Sequence, residues 1–386
     1  MRLKTFSKAK VKNKKVILRC GFDVPFSKKG KIEDDTRIKQ SLPTIKYLIK
    51  NKAKVIIISH NGRPGGKYVK RLSMDEIGQK LSKFLRKKVK KLDDCVGSKV
   101  KEKVAKMKPG SVILLENLRF HQGEKNKDPK FIQALVDLGE IYINDAFANS
   151  HRDHASMFGI THYLPSYAGL LVKKEINFLQ KFIKKPKKPF VAIVGGAKIS
   201  SKLKAVVSLF KKTDALLLGG ALANTILKAK GLQVGQSLIE DNMIKKVKKM
   251  KLTDIRLKIP VDVVVARGKK AYQRPVGGVD EQEKIYDIGQ DTITLYKEII
   301  KKAGQVVWAG PMGFFEDKRF QKGSYAIAQA ISRSSAVSLV GGGDTLDVLN
   351  ELNLKNKISH ISTGGGAMLE FLTKGTLPAL KPLIKK

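Results

Sequence analysis

Acidic side chains are scarce in this chain. Its 386 residues hold 34 Asp plus Glu against 77 Lys plus Arg, for a formal net charge of +43. Arginine is scarce too: 13 of the basic residues are Arg and 64 are Lys. Such a charge bears on solubility and on non-specific attraction of anions rather than on fold. The lysines are spread along the chain, as at Lys87-Lys88, Lys184-Lys185, Lys245-Lys246, Lys301-Lys302 and Lys385-Lys386. A nucleic-acid tail would gather them in one block. Aromatics make up only 7%, too few for a surface that stacks single-stranded bases. Two cysteines, Cys20 and Cys95, exclude a disulfide framework and a Cys-rich zinc site. No apolar run approaches the roughly 20 residues of a membrane span. The stretch from Met1 to Lys15 is basic without an apolar centre, so no signal peptide is expected. These absences predict a cytoplasmic protein with no membrane association and no specific nucleic-acid partner.

Familiar nucleotide motifs are missing as well. The stretch ending Gly65-Gly66-Lys67 has Asn61 where a P-loop needs its first glycine, and Tyr68 follows the lysine. Gly341-Gly342-Gly343 is followed by Leu346 rather than by the third glycine of a dinucleotide fingerprint. His151-Arg152-Asp153 imitates a protein-kinase catalytic loop, but Phe158 stands where its metal-binding Asn belongs.

What is present is an alternation of short apolar runs with helical spacing. Val16-Ile17-Leu18, Val55 to Ile58, Val112 to Leu115 and Ile141 to Ile143 read as strands. So do Phe190 to Val194, Ala215 to Leu218, Val261 to Val265, Val306 to Trp308 and Val337 to Val340. Continuous apolar strands separated by helices predict parallel sheets covered on both faces. The fold class is α/β: two doubly wound, Rossmann-like three-layer domains with mostly parallel sheets. A helical stretch from Leu170 to Ile183 ends in Lys184-Lys185-Pro186-Lys187-Lys188-Pro189, a charged breaker. The expected division is 1–169 and 187–372, with a hinge helix at 170–186 and a closing segment at 373–386.

The two halves carry different chemistry. Gly341-Gly342-Gly343-Asp344-Thr345 and Ser362-Thr363-Gly364-Gly365-Gly366-Ala367 each read as strand, bare turn and helix start. Glycine admits a phosphate close to the backbone, and the helix N-terminus attracts its charge. Asp344 is suited to a metal ion beside that phosphate. The N-terminal half instead places Arg37, Arg63, Arg119 and Arg152 at or near strand ends, where α/β sheets bind ligands. Arginine forks grip phosphate and carboxylate in a geometry that lysine lacks.

The segments fall in a fixed order. Leu18-Arg19-Cys20-Gly21-Phe22-Asp23-Val24-Pro25 comes first, then Asp34 to Ile38, Ser59-His60-Asn61-Gly62-Arg63-Pro64 and Leu115 to Phe120. Asn144 to Phe147 and Ser150-His151-Arg152 follow, then Gly195 to Ser200, Trp308 to Glu316 and the two triplets. From Val16 to Pro378 the chain resembles the phosphoglycerate kinase family. The resemblance implies reversible transfer of the acyl phosphate of 1,3-bisphosphoglycerate to ADP, giving 3-phosphoglycerate and ATP, with Mg²⁺, in a monomer.

Residue by residue, the resemblance implies a triose-phosphate site of Gly21, Phe22, Asp23, Arg37, His60, Asn61, Gly62, Arg63, Arg119 and Arg152. Arg37 faces the transferring group, and Lys198, Gly343 and Gly366 share the catalytic role. The nucleotide falls to Gly196, Lys198, Lys202, Gly220, Pro311, Glu316, Gly342, Gly343, Asp344 and Thr345, with Asp344 on the metal. Lys202 is expected one helical turn beyond Lys198, on the same face. His151 and His154, spaced i, i+3, take a phosphate-side or supporting role, since no third metal ligand accompanies them. The closing segment is expected to return to the N-terminal domain.

The chain also departs from the family pattern R-V-D-F-N-V-P at the first loop: Gly21 replaces the Asp and Asp23 the Asn. Ala221, Ala309 and Ser201 are further departures, the first two expected near the adenine pocket. Two rival classes fit the sequence less well. A basic nucleic-acid binder leaves the ordered arginine and glycine loops unexplained. A kinase for acetyl or carbamoyl phosphate has no second phosphate to occupy four arginines.

Overall fold

Alternate residues of a strand face opposite sides of its sheet, so a run that is apolar throughout can be satisfied only with a layer on each face. In the strand Lys15–Cys20 (β1), Val16 and Leu18 join one buried cluster with Ile38, Ile45 and Leu48 of the helix Thr36–Lys50. Ile17 joins another with Val100, Val104 and Leu135 on the far side. The structure, a computed structural model, describes residues 1–27 and 29–385. It divides into two compact units, Met1–Gln180 with Thr376–Lys386, and Lys181–Gly375.

Among the described residues, the first unit holds one six-stranded sheet. After β1 come Lys54–Ile58 (β2), Val89–Lys91 (β3), Val112–Leu114 (β4), Ile141–Asp145 (β5) and Ser166–Ala168 (β6). The order is β3-β4-β2-β1-β5-β6, parallel throughout. The path reverses between β1 and β5, the kind of point where open α/β sheets bind ligands. The segment after Thr376 is buried within this unit: Leu377, Ala379, Leu380 and Leu383 are all fully covered. Lys4 N–H donates to the Leu383 carbonyl at 2.6 Å, and Ala379 N–H to that of Ser150 at 3.1 Å.

The helix Leu170–Lys184 starts against β5. Leu171 N–H donates to Asp145 Oδ1 at 2.9 Å, and Leu170 N–H to Thr44 Oγ1 at 3.1 Å, satisfying donors that the first helical turn leaves open. Burial pushes the Asp145 carboxyl up to about 7, against hydrogen bonds from the Thr44 side chain and the Leu171 and Val172 N–H groups. The helix ends in the second unit, where Phe182 meets Phe190 edge-on at 5.6 Å.

The second unit repeats the plan with Phe190–Val194 (β7), Ala215–Leu218 (β8), Leu257–Lys258 (β9), Gln305–Ala309 (β13), Val337–Gly341 (β14) and His360–Ser362 (β15). Their order is β15-β14-β13-β7-β8-β9, again parallel, with the reversal between β7 and β13. One expectation is corrected. The apolar run at Val261 to Val265 is not in this sheet. It lies in Asp262–Arg267 (β10), antiparallel to Lys270–Pro275 (β11) and Lys284–Ile288 (β12). β11 is almost wholly exposed, so no apolar pattern announced the hairpin.

Candidate functional site

In the first unit, the loops leaving β1 and β2 are pinned to each other. Phe22 N–H donates to Ser59 Oγ at 3.0 Å, and Ser59 Oγ donates to the Cys20 carbonyl at 2.7 Å. Asp23 Oδ1 accepts from Gly62 N–H at 2.8 Å, while Oδ2 lies 3.7 Å from His60 Nε2 and 3.9 Å from Arg37 Nη1. Arg37 also donates to the Asp23 carbonyl. Burial works to raise the Asp23 carboxyl. His60, Gly62 and the Arg37 charge overcome it and hold the group well below the usual carboxylate range. Arg119 donates through Nη1 to the Gly62 carbonyl at 2.7 Å. Its short helix, Leu118–Phe120, is capped by Asn117 Oδ1 at 3.0 Å, and Asn117 Nδ2 reaches the carbonyls of Asn61 and Leu72. Arg63 and Arg152 are exposed, and among the described residues neither guanidinium bonds to a protein group.

Asp23, Arg37, His60, Gly62 and Arg119 are therefore in one contact set, and the charge of Arg152 acts on Arg119. Two expected residues present no side chain to a ligand: Phe22 is fully buried in the core, and Asn61 is 1% exposed. Their part is to shape the loops. A β-carbon on Gly21 would rest in ordinary contact with Asn149 Oδ1 at 3.5 Å and with Ala146.

Beneath this set lies a polar network that residue type alone did not reveal. Arg19, 1% exposed, donates Nε to Ser156 Oγ at 3.0 Å and Nη2 to His60 Nδ1 at 2.8 Å. Ser156 donates its hydroxyl to Glu124 Oε1 at 2.7 Å and its N–H to Oε2 at 3.0 Å. His154 Nδ1 sits 3.8 Å from Glu124 Oε1. A guanidinium has no acceptor, so the Arg19 bond makes His60 Nδ1 the acceptor and puts the ring proton on Nε2, toward Asp23. Burial, with the charges of Arg19 and Arg119, outweighs Asp23 and pushes His60 down to about 3. Burial and Arg119, Arg19 and Arg152 push His154 down to about 4.

Both rings are thus neutral in the folded protein, while the unfolded chain takes up their protons below about 6.5. Their contribution to stability is complete above that pH and is lost as pH falls toward 4 and then 3. In an NMR titration, neither ring is expected to protonate above pH ~5. A His60 ring titrating near 6.5 would rule out the Arg19 bond.

In the second unit, the loops after β7, β8 and β13 touch backbone to backbone. Gly196 N–H donates to the Pro311 carbonyl at 2.9 Å, Gly220 N–H to that of Met312 at 2.6 Å, and Leu222 N–H to that of Gly196 at 3.0 Å. Gly220 has φ 63° and starts the helix Gly220–Ala229; a β-carbon there would lie 2.6 Å from Gly196 N. Only glycine fits both conditions. Thr345 is buried, and its Oγ1 accepts from Gly310 N–H at 2.8 Å, so its hydroxyl fixes the β13 loop. The glycine triplets meet as well: a β-carbon on Gly365 would stand 3.4 Å from Gly342 Cα. They open the helices Gly343–Glu351 and Gly366–Lys374. First-turn N–H groups have no intrahelical partner, and Gly343 and Gly366 leave open space beside theirs.

The loops after β7, β8 and β13 and the start of the helix Gly343–Glu351 border a cavity of about 560 Å³. Gly196, Gly220, Pro311, Glu316 and Asp344 line it, with Ala221. Ala309 does not; it is 3% exposed, inside β13. Lys198 and Lys202 are not on one helical face, because the helix begins only at Leu203. Residues 198–202 form a turn: Lys198 is exposed, and Lys202 folds back to the Gly195 carbonyl, with burial lowering its pKa against the pull of Asp344. Leu238, Phe314 and Tyr286 give the cavity apolar walls. Phe314 and Leu238 are 49% and 60% exposed.

A family model described as "Phosphoglycerate kinase" matches residues 6–375. The chain is 43% identical over 394 residues to the phosphoglycerate kinase of Pelotomaculum thermopropionicum, covering 100% of both chains. It is 42% identical over 391 residues to that of Moorella thermoacetica, covering 99% of each. Among solved structures, phosphoglycerate kinase from Coxiella burnetii superposes with a TM-score of 0.82 at 39% identity over 99% of both chains. That from Pyrococcus horikoshii OT3 gives 0.85 at 35% identity, over 97% of this chain and 96% of the other.

Proposed function

The chain belongs to the phosphoglycerate kinase family, and we propose that its arginine loops and glycine loops are the triose and nucleotide sites of one phosphoryl transfer. The enzyme moves the acyl phosphate of 1,3-bisphosphoglycerate to ADP, giving 3-phosphoglycerate and ATP, and runs in reverse, in glycolysis and gluconeogenesis. The observation that carries the site assignment is the cavity at the strand ends of the second unit, edged by the starts of the helices Gly220–Ala229 and Gly343–Glu351. No helix among the described residues is long and apolar enough to cross a membrane. A monomeric enzyme of the cytoplasm is the accompanying proposal.

Phosphoryl transfer rests on positioning and charge neutralisation. Arg63, Arg119 and Arg152 hold the triose phosphate, with His60 and Asp23 toward the hydroxyl and carboxylate end. Arg37 stands at the transferring group. Lys198 travels with it, and the first-turn N–H groups of Gly343 and Gly366 receive its developing charge. Lys202 neutralises nucleotide phosphates, and Glu316 accepts from the ribose. Asp344 fits a Mg²⁺ role: it is exposed, lines the cavity and forms no ion pair among the described residues. Mg²⁺ is commonly held by one or two carboxylates plus substrate phosphates; when bound, it offsets charge between the phosphates. The helix Leu170–Lys184 serves as the hinge that brings both substrates into line.

A coupled assay tests this. ATP formation is expected with 1,3-bisphosphoglycerate, with acetyl and carbamoyl phosphate at least ~100-fold poorer, since neither fills the arginine set. In Asp344→Ala, the Mg²⁺ needed for half-maximal rate is expected to rise ~10-fold or more. Equal rates with acetyl phosphate would sink the triose assignment, and an unchanged Mg²⁺ requirement would sink that of Asp344.

A further inference from the structure

One cluster in the first unit has no part in the transfer. Asp94, Cys95 and His121 bring a carboxylate oxygen, a sulfur and a ring nitrogen within 4.8 Å of one another. Asp94 and Cys95 lie in the turn after β3, and His121 follows the short helix Leu118–Phe120. Two of the three are held in place. Asp94 Oδ1 accepts from Cys95 N–H at 2.6 Å, and His121 stacks on Phe131 with ring centroids 5.1 Å apart. His121 Nε2 is 2.6 Å from Asp94 Oδ1, and Cys95 Sγ is 2.9 Å from the Glu116 carbonyl.

An ion pair accounts for Asp94 and His121, and the Glu116 carbonyl takes the Cys95 thiol, yet the three ligand atoms still converge within 4.8 Å of one another. Cys95 is fully buried while Asp94 is exposed, so the cluster has a sealed side and an open side. Asp93 and Glu116 stand nearby, with Lys91 bridging them at 3.5 and 2.7 Å. In a chain with 34 acidic against 77 basic residues, this is a local gathering of anionic groups.

We propose that Asp94, Cys95 and His121 form a binding site for a borderline divalent cation, of which Zn²⁺ is the type. The donor set decides the class. Mg²⁺ and Ca²⁺ take oxygen ligands, whereas one sulfur, one nitrogen and one oxygen suit Zn²⁺. Three protein ligands leave a fourth position, on the open Asp94 side, for water. Binding forms a sulfur–metal bond as the Cys95 S–H proton leaves to solvent. The proton between His121 and Asp94 moves to Nδ1, freeing the Nε2 lone pair for the cation. No electrons are exchanged. Ligand bonds of roughly 2.0–2.3 Å ask the Asp94–His121 pair to open by several tenths of an ångström, and the thiol to close in.

Co²⁺ titrated into the reduced, chelator-treated full-length protein tests the site. The expected result is about one equivalent bound, with an intense near-ultraviolet thiolate-to-cobalt band and displacement by Zn²⁺. The band is expected to vanish in Cys95→Ser and to persist in Cys20→Ser. In His121→Ala, affinity is expected to fall by about 100-fold or more, beyond the loss seen when only a supporting partner is removed. Zn²⁺ should raise the unfolding temperature of the wild type and of Cys20→Ser, and not that of Cys95→Ser. A wild-type spectrum without a thiolate band overturns the proposal even if the variants fail to fold. So does a band that survives Cys95→Ser.

Discussion

Replacing Arg37 with alanine is expected to lower kcat by about 10³-fold, with KM for 3-phosphoglycerate changed only a few-fold. Arg37 begins the second residue of the helix Thr36–Lys50 and is tied back to the Asp23 carbonyl, with one nitrogen 3.9 Å from Asp23 Oδ2. Those contacts fix the guanidinium without using all five of its donors. The remaining donors project from a side chain that is 34% exposed, so its removal leaves no buried hole and the fold should survive. On the proposed assignment, Arg63, Arg119 and Arg152 still supply the ground-state grip. What disappears is a rigid fork aimed at charge that develops only during transfer. Arg37→Lys should recover little, because a single ammonium cannot reproduce two parallel bonds. Steady-state kinetics in both directions check this. A variant with normal kcat and only a raised KM would place Arg37 in ordinary substrate binding.

How legible was this in the sequence? Strands covered on both faces announce themselves as runs of apolar residues; β2, β7 and β8 are of this kind, and so is the Val16–Leu18 stretch of β1, whose Arg19 is buried only because Ser156 and His60 take its donors. Strands of two or three residues, such as β3, β6 and β9, carry too few side chains to show a period. The antiparallel sheet was misplaced because only β10 looks apolar. Backbone-driven features were readable for a physical reason: Gly220 and Gly365 sit where a β-carbon has no room or the backbone is left-handed, and no other residue substitutes. Arginines at strand ends were readable in a lysine-dominated chain. Hydrogen-bond partnerships were not. Arg19 and Ser156 are 137 positions apart, and nothing local in either marks the other. The turn at residues 198–202 was misjudged because spacing alone cannot tell a helix from a loop that returns.

At Gly21 and Asp23 the first loop departs from the family pattern yet keeps one carboxylate. The carboxylate expected at position 21 stands two residues later, where Gly62 N–H, His60 and Arg37 all stabilise it. A carboxylate among arginines loses little, and the net charge of the loop is unchanged.

The largest stability effect is expected at Glu124. Glu124→Leu should destabilise the first unit by about 3–5 kcal/mol, the range for leaving a buried charge without its partner, and lower its unfolding temperature by roughly 10 °C. Arg19 is buried, and its Nε reaches Glu124 only through the Ser156 hydroxyl. Burial raises the Glu124 carboxyl, and Arg19 is the strongest influence opposing that rise. Each charge is tolerated because of the other. The Arg19 guanidinium also fixes the His60 ring, so a shift there reaches the triose site. Glu124→Gln keeps an acceptor for Ser156 but removes the charge, and separates the two contributions. The double variant Arg19→Met/Glu124→Leu removes both charges and should regain much of the lost stability while still impairing turnover, since His60 then has no partner on Nδ1. Thermal unfolding of the four proteins, followed by far-ultraviolet circular dichroism, provides the measurement. A single Glu124→Leu loss below about 1 kcal/mol would mean that water or another group already compensates Arg19. A double variant no more stable than the single would mean that packing, not charge, sets the role of Glu124.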